Sequence, residues 1–164
     1  MREQIRIVRF AAALEAEVLV VECMALQPIL QWLSERMFVQ ATHGVITNAR
    51  PDHLDVMGPT GDDVAKALSG MMPRRALCFT AERDRLPILA HAAADRGTEL
   101  IAVEEEAGAA LSAEAMAGFR YHEHRENVAL ALRVCAALGV DEETALSGMQ
   151  GAHPDPGALT FHEL

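Results

Sequence analysis

Residues 76–103 read ALCFTAERDRLPILAHAAADRGTELIAV, the pattern of a strand, a helix and a second strand. The runs Ala76-Leu-Cys-Phe79 and Leu100-Ile-Ala-Val103 are almost continuously apolar, which is typical of strands covered on both faces of a sheet. Between them, residues 84–96 have a helical pattern that stops before Gly97, a favoured helix end. A strand, helix and strand in this order predict two parallel neighbours joined by a crossover helix.

The same alternation extends towards the N-terminus. Two further apolar runs are predicted to be strands, and helical patterns cover residues 2–16, 28–39 and 60–69; the runs are Val18-Leu-Val-Val21 and Gly44-Val-Ile-Thr47. The sequence therefore predicts the α/β fold class, with a mainly parallel sheet and helices on both faces.

Helix starts carry their own signals. Pro28 suits a first helical position, and Thr60-Gly-Asp-Asp63 resembles a capping box with Asp63 in place of the usual Glu or Gln. Ser112 is expected to cap a short helix, and Asp141 is the expected N-cap of a last helix that runs to about Met149. Residues 123–138 form an amphipathic helix before it.

Composition narrows the class of protein. The 164 residues fit one domain, and a net charge of −10 argues against a general nucleic-acid binder. No apolar run is long enough to span a bilayer, and no apolar signal segment begins the chain. The three widely spaced cysteines read as small buried side chains in a reducing compartment, so we expect a cytoplasmic location. Lys66 is the single lysine and no Ser or Thr follows it, so this chain contains no G-x-x-x-x-G-K-[ST] phosphate loop.

The segment after Gly44-Val-Ile-Thr47 is the best candidate for chemistry. Asn48, Asp52, His53 and Asp55 follow this predicted strand, and ligands of open parallel sheets bind beyond the carboxyl ends of strands. Histidine and carboxylate together can bind a divalent cation or move a proton. The alternative is a capped loop, because Asn and Asp are also favoured turn residues.

Two other residues are candidates. Glu22 directly follows Val18-Leu-Val-Val21, where a carboxylate is well placed to hold Mg²⁺ over a nucleotide; the alternative is a surface acid at a strand end. Asn127 lies on the polar side of the helix over residues 123–138, where it is able to contact a base or a backbone group.

These residues resemble the motifs of a known family. Asn48-x-x-x-Asp52-His53-Leu54-Asp55 is similar to the Asn…Asp-His-hydrophobic-Asp motif of the Mur ligase superfamily of ATP-dependent amide ligases. Glu22 matches the superfamily's Mg²⁺-binding glutamate, and the helix from Asn127 to Gly139 resembles the one that supplies an adenine-contacting asparagine.

One branch of the superfamily is the most similar. Three segments resemble the sequence of the ligase subunit of the capsule-type poly-γ-glutamate synthase: Val21-Glu-Cys-Met-Ala25, residues 46–60 and Pro154-Asp-Pro-Gly157. The resemblance implies that a carboxylate at the end of the growing chain is activated as an acyl phosphate. The amine of the next glutamate then attacks it, which gives an amide, ADP and phosphate.

The resemblance also implies roles for individual residues. Glu22 and His53 would bind the Mg²⁺ that bridges the ATP phosphates, and Asn48 and Asp52 would shape the same site. Asp55 would support His53 or its loop as part of the catalytic group with Asp52, and Asn127 would contact the adenine of ATP. Glutamate and the poly-γ-glutamate chain are the implied substrates. Integral-membrane synthase subunits at the inner face of the membrane are the implied partners of the intact enzyme.

The family pattern is incomplete in this sequence. Residues 1–150 are expected to be a partial central ATP-binding domain without its phosphate loop, and residues 151–164 a linker towards an absent C-terminal domain. We therefore expect the chain alone to be inactive and to form homo-oligomers or depend on a partner, because an interior fragment exposes a strand edge. Two alternatives stay open: a catalytically degenerate binding module with a nucleotide fold, and a Mur-type ligase with a different acceptor.

Overall fold

The computed structural model describes residues 2–153, which form a helix-rich α/β structure around a small sheet. Three parallel strands lie in the order β1-β2-β3, so each strand pairs with the next one along the chain. This confirms the predicted fold class. The strands are β1 (His43–Ile46), β2 (Leu77–Thr80) and β3 (Glu99–Ala102).

Most of the other regular structure in residues 2–153 is helical. A π-helix (Glu35–Val39) continues α2, and a 3₁₀ turn (Ser69–Met71) continues α4. The α-helices are α1 (Arg2–Ala13), α2 (Pro28–Ser34), α3 (Leu54–Met57), α4 (Gly61–Leu68), α5 (Leu86–Arg96), α6 (Glu105–Ala109), α7 (Ala113–Ala117), α8 (Arg125–Ala137) and α9 (Glu142–Gly151).

The predicted strand at Val18-Leu-Val-Val21 is wrong. These residues have no regular secondary structure, and Val20 is 90% exposed. A buried strand needs neighbours that pair its backbone and side chains that cover both faces, and an apolar run alone supplies neither. Glu22 therefore follows an exposed irregular segment instead of a strand.

The chain divides into two compact units. The first contains residues 1–78 and 82–101, and the second contains residues 79–81 and 102–164. In the first unit, the cluster of Ile46, Met72, Cys78, Leu89 and Ala93 forms a core, so side chains of β1, β2 and α5 pack together. A neighbouring cluster contains Ala49, Val64 and Ala65, which joins α4 to the segment that follows β1.

The second unit is built around α8. This helix packs against α6 and α9, and it buries Val128, Ala129 and Leu130. Two side chains reach across the unit to backbone carbonyls: Gln150 Nε2 donates to Ala115 O at 2.9 Å, and Tyr121 Oη donates to Met149 O at 3.3 Å.

The predicted linker lies almost wholly beyond the described part of the chain. Gly151 ends α9, and Pro154-Asp-Pro-Gly157 lies outside the described residues. Within residues 2–153, no helix combines the length and the apolar character required to cross a membrane.

Candidate functional site

The candidate site begins where β1 ends. Asn48 lies two residues after Ile46, and its Oδ1 accepts a hydrogen bond from the backbone N–H of Arg50 at 3.2 Å. This local bond is an Asx turn, which begins the loop that follows β1. The predicted polar loop therefore exists at the carboxyl end of a strand, where ligands of parallel sheets bind.

Asp52 and His53 form a pair at the end of this loop. Asp52 Oδ1 accepts a hydrogen bond from the His53 backbone N–H at 2.8 Å, and its Oδ2 lies 3.7 Å from His53 Nε2. The side chains are 77% and 47% exposed, respectively, so both are open to solvent and to a ligand. This arrangement can hold a cation or pass a proton.

The backbone of His53 adopts an uncommon conformation. His53 is the N-cap of α3 with φ 47° and ψ 43°, in the left-handed region that few residues other than glycine occupy. Such conformations cost about 1–3 kcal/mol and cluster at functional sites. The left-handed turn is what allows the chain to reverse from the loop into α3 directly after Asp52.

Asp55 lies in the first turn of α3 and is exposed. In the part of the chain that the structure describes, it makes no hydrogen bond with His53. Its expected support of His53 or of the loop stays a prediction.

Glu82 is a site residue that the sequence analysis missed. It is 5% exposed and follows β2 by two residues, as Asn48 follows β1. Its Oε2 accepts a hydrogen bond from Ala49 N at 2.5 Å, and its Oε1 accepts one from Arg85 N at 3.0 Å. Glu82 thus fixes the backbone next to Asn48. The signal was present, because Glu82 follows a buried strand in the way that was assumed for Glu22.

Arg85 connects this edge to α4. Its guanidinium lies 4.0 Å from Glu82 Oε1 and 3.4 Å from Asp62 Oδ1. Gly61 packs directly against the guanidinium, and a Cβ at this position would collide with it. The helix start beside it is the predicted capping box: Thr60 and Asp63 exchange hydrogen bonds, and the bond from Thr60 lowers the pKa of the Asp63 carboxyl.

Glu22 makes no recorded contact with this group in the described part of the chain. Glu22 is exposed on the irregular segment between α1 and α2. Asn127 belongs to the second unit, where its Nδ2 donates a hydrogen bond to Glu123 Oε1 at 3.0 Å. Across residues 2–153, no three His, Cys, Asp or Glu side chains gather into a metal-binding group. The roles of Glu22 and Asn127 stay predictions.

Two curated relatives match almost the whole chain. It is 45% identical over 157 residues to the "Capsule biosynthesis protein CapB" of Bacillus anthracis, a match that covers 96% of this chain and 33% of the relative. It is 36% identical over 162 residues to the "PGA synthase CapB" of Bacillus subtilis (strain 168), which covers 99% of this chain and 40% of the relative. The chain therefore spans between a third and two fifths of the length of these relatives. No family model matches the chain, and no solved structure matches it significantly.

Proposed function

We propose that this chain is part of an ATP-dependent amide ligase that polymerises glutamate into poly-γ-glutamate. The observation that carries the proposal is the similarity to two proteins named as a capsule biosynthesis protein and a PGA synthase, over 96% and 99% of this chain. The polar loop after β1 supports it, because the loop contains Asn48, Asp52 and His53 of the proposed family motif and pairs Asp52 with His53. The Mur-type motifs favour the amide-ligase chemistry.

ATP and Mg²⁺ are the proposed cofactors. Mg²⁺ keeps several water ligands and usually takes only one or two carboxylates, with phosphate oxygens completing its shell. The exposed Asp52–His53 pair fits such a water-rich site, and Glu22 is the second proposed ligand besides His53. When bound, magnesium and ATP would supply the phosphoryl group that activates a glutamyl carboxylate and would neutralise the charge on it.

The chain's own residues have distinct proposed tasks. Asp52 holds the backbone and the ring of His53, so the imidazole nitrogen is presented beside a carboxylate. Asn48 shapes the turn that leads from β1 into the loop containing both residues. Glu82 is a proposed positioning residue, because it accepts a hydrogen bond from the backbone of Ala49, next to Asn48. Asn127 is proposed to contact the adenine and Asp55 to support the loop.

The proposal includes partners. Glutamate and the growing chain are the substrates, and integral-membrane subunits are the proposed partners of the intact enzyme at the cytoplasmic face of the membrane. The exposed apolar residues Val18, Val20 and Met24 supply a surface that a partner or a second copy would cover. Nucleic acid is not a proposed partner, because the net charge is −10.

A cation titration tests the site. The full chain is titrated with Mn²⁺, with and without ATP, and binding is followed by water-proton relaxation. We expect His53→Ala and Asp52→Asn to weaken Mn²⁺ binding about tenfold, as loss of groups around a metal typically does. His91→Ala is the matched control, since His91 and Asp95 form a surface pair at 3.8 Å, close to the 3.7 Å of Asp52 and His53.

A second measurement addresses the reaction. Incorporation of labelled glutamate into polymer with ATP is measured for the longest natural reading frame that contains this chain, with and without His53→Ala. Loss of incorporation in the variant, with normal incorporation in His91→Ala, supports the ligase. Equal incorporation in both variants contradicts it.

The second candidate function is a binding module that has a nucleotide fold and no catalysis. It is favoured by the exposed position of Glu22 on an irregular segment, where the sequence predicted the end of a buried strand. A Mn²⁺ response that is unchanged by both His53→Ala and Glu22→Ala would support this module. Incorporation of another amine in place of glutamate would support a Mur-type ligase with a different acceptor.

A further inference from the structure

A cavity in the first unit lies at the amino ends of the strands, whereas the candidate site follows their carboxyl ends. Its volume is about 400 Å³, within the range of small-molecule sites. It is lined by residues that precede the strands: Ala41 comes just before β1, Arg75 just before β2, and Arg96 three residues before β3. Asn48, Asp52 and His53 follow the other end of β1, so the cavity and the candidate site are separate.

The cavity is strongly cationic in an acidic chain. Four arginines line it, against one glutamate, Glu35; they are Arg36, Arg74, Arg75 and Arg96. The Glu35 carboxylate already has a hydrogen-bond partner, because its Oε1 accepts a hydrogen bond from Ala41 N at 3.0 Å. Burial raises the pKa of Glu35, while the hydrogen bond from Ala41 and the charge of Arg96 act in the opposite direction.

The arginines differ in what they already contact. Arg96 Nη1 donates hydrogen bonds to the backbone carbonyls of Gly70, at 3.1 Å, and Met72, so this side chain is part of the wall. Arg36, Arg74 and Arg75 are exposed, and within residues 2–153 their side chains have no ion-pair partner. Three guanidinium groups are therefore available to a bound anion.

The backbone around the cavity is unusual. Glu35 and Arg36 lie on a π-helix, a rare element that occurs frequently at functional sites. Gln40 and Arg75 have φ values of 50° and 52°, so two of the four non-glycine residues with positive φ in the described chain line this cavity. Strained conformations persist where the surrounding structure enforces them, commonly at ligand sites.

We propose that this cavity binds a ligand that carries several carboxylates along a flexible chain containing methylene groups, such as an oligomer of γ-linked glutamate. Arginine forms paired hydrogen bonds with carboxylates, and Trp32 offers a half-exposed apolar face, 41% exposed, for the methylene groups between them. A simple phosphate has no apolar part to use that face. The choice of a glutamate oligomer rests on the proposed function, and the site would hold the polymer away from the reacting end.

Trp32 is the only tryptophan, so its fluorescence reports on this cavity. The full chain is titrated with γ-linked triglutamate, and separately with inorganic phosphate and with ATP, in the absence of metal. We expect saturable binding of triglutamate that weakens as salt rises. Arg36→Gln and Arg74→Gln should each raise the dissociation constant about tenfold, as loss of a charge-assisted hydrogen bond does. Arg133→Gln removes an exposed arginine that does not line the cavity, and it should leave the constant unchanged.

Three results would overturn the inference. They are no binding of triglutamate, equal weakening by Arg133→Gln, and tighter binding of phosphate or ATP than of triglutamate. The titration needs neither metal nor His53, so its failure is distinct from failure of the ligase proposal. If triglutamate binds but glutamate incorporation does not depend on His53, the proposed ligand of the cavity is supported and the ligase proposal fails. If triglutamate does not bind but incorporation depends on His53, only the proposal for the cavity fails.

Discussion

Replacement of Glu82 by alanine tests whether one buried carboxylate holds the loop of the candidate site. Glu82 accepts hydrogen bonds from the backbone N–H groups of Ala49 and Arg85. Ala49 is fully buried, so its N–H group would lose its acceptor without access to water. The loop from Asn48 to His53 would lose its fixed attachment to the segment after β2.

The magnitude follows from these contacts. Removal of one partner of a buried charged group costs about 3–5 kcal/mol. The lower end applies here, because Arg85 keeps the Asp62 carboxylate 3.4 Å from its Nε. We expect Glu82→Ala to lower the free energy of unfolding by about 3 kcal/mol and Tm by about 9 °C for a chain of this size. Glu82→Gln should cost about half as much, since its amide keeps one acceptor oxygen.

Urea unfolding followed by circular dichroism measures the loss, and hydrogen exchange at the Ala49 amide locates it. The exchange of this amide should accelerate in Glu82→Ala by more than global destabilisation alone explains. Glu99→Ala is the control, because Glu99 is exposed and such changes alter stability by less than about 0.5 kcal/mol. A Glu82→Ala variant as stable as Glu99→Ala, with unchanged Ala49 protection, would refute the reasoning.

Other perturbations test single features. His53→Gly should be about 1 kcal/mol more stable in urea than His53→Ala, because φ at this position is 47° and only glycine occupies it without strain; equal stabilities would contradict the left-handed backbone. Thr60→Ala should cost about 1 kcal/mol through loss of the cap, and Thr60→Ser should restore most of it in the same assay. Because the pKa of Asp63 is lowered in the folded chain, the stability that its ionised carboxylate adds is present above its ordinary pKa of 3.8 and is lost as pH falls through the lower folded value. The free energy of unfolding of Asp63→Asn should therefore fall less steeply with decreasing pH than that of the unchanged chain. Burial raises the pKa of Cys78 to about 12, so Cys78 should react with a disulfide reagent at neutral pH only after urea unfolds the chain, and labelling in the folded state would contradict its burial.

The agreement between sequence and structure is closest where the signal is local. The caps at Thr60, Ser112 and Asp141 were all predicted, and each side chain bonds to a backbone N–H three residues later. Three of the four predicted strands formed within one residue of their expected bounds, because each apolar run has a neighbour to pair with. Val18-Leu-Val-Val21 has the same composition and no such neighbour in the described sheet, so composition was insufficient there.

In the candidate site too, features that depend on local contacts were predicted and a feature that depends on a long-range contact was not. Asn48, Asp52 and His53 were predicted because one continuous segment contains them, and their hydrogen bonds are local: Asn48 bonds to the backbone of Arg50, and Asp52 bonds to the backbone of His53. Glu82 was missed because its bond to Ala49 joins residues 33 positions apart. The left-handed conformation of His53 was also missed, since histidine carries no strong preference for it.

Sequence patterns alone predict the helix caps, three of the four apolar strands, the order of those elements and the polar loop, because each depends on residues that are neighbours along the chain. The tertiary structure decided which apolar run pairs in the sheet, which carboxylate is buried, and which arginines surround a common cavity. Those outcomes depend on partners from distant segments: a backbone group needs a partner where water is excluded, and like charges share a cavity only where the fold brings their segments together.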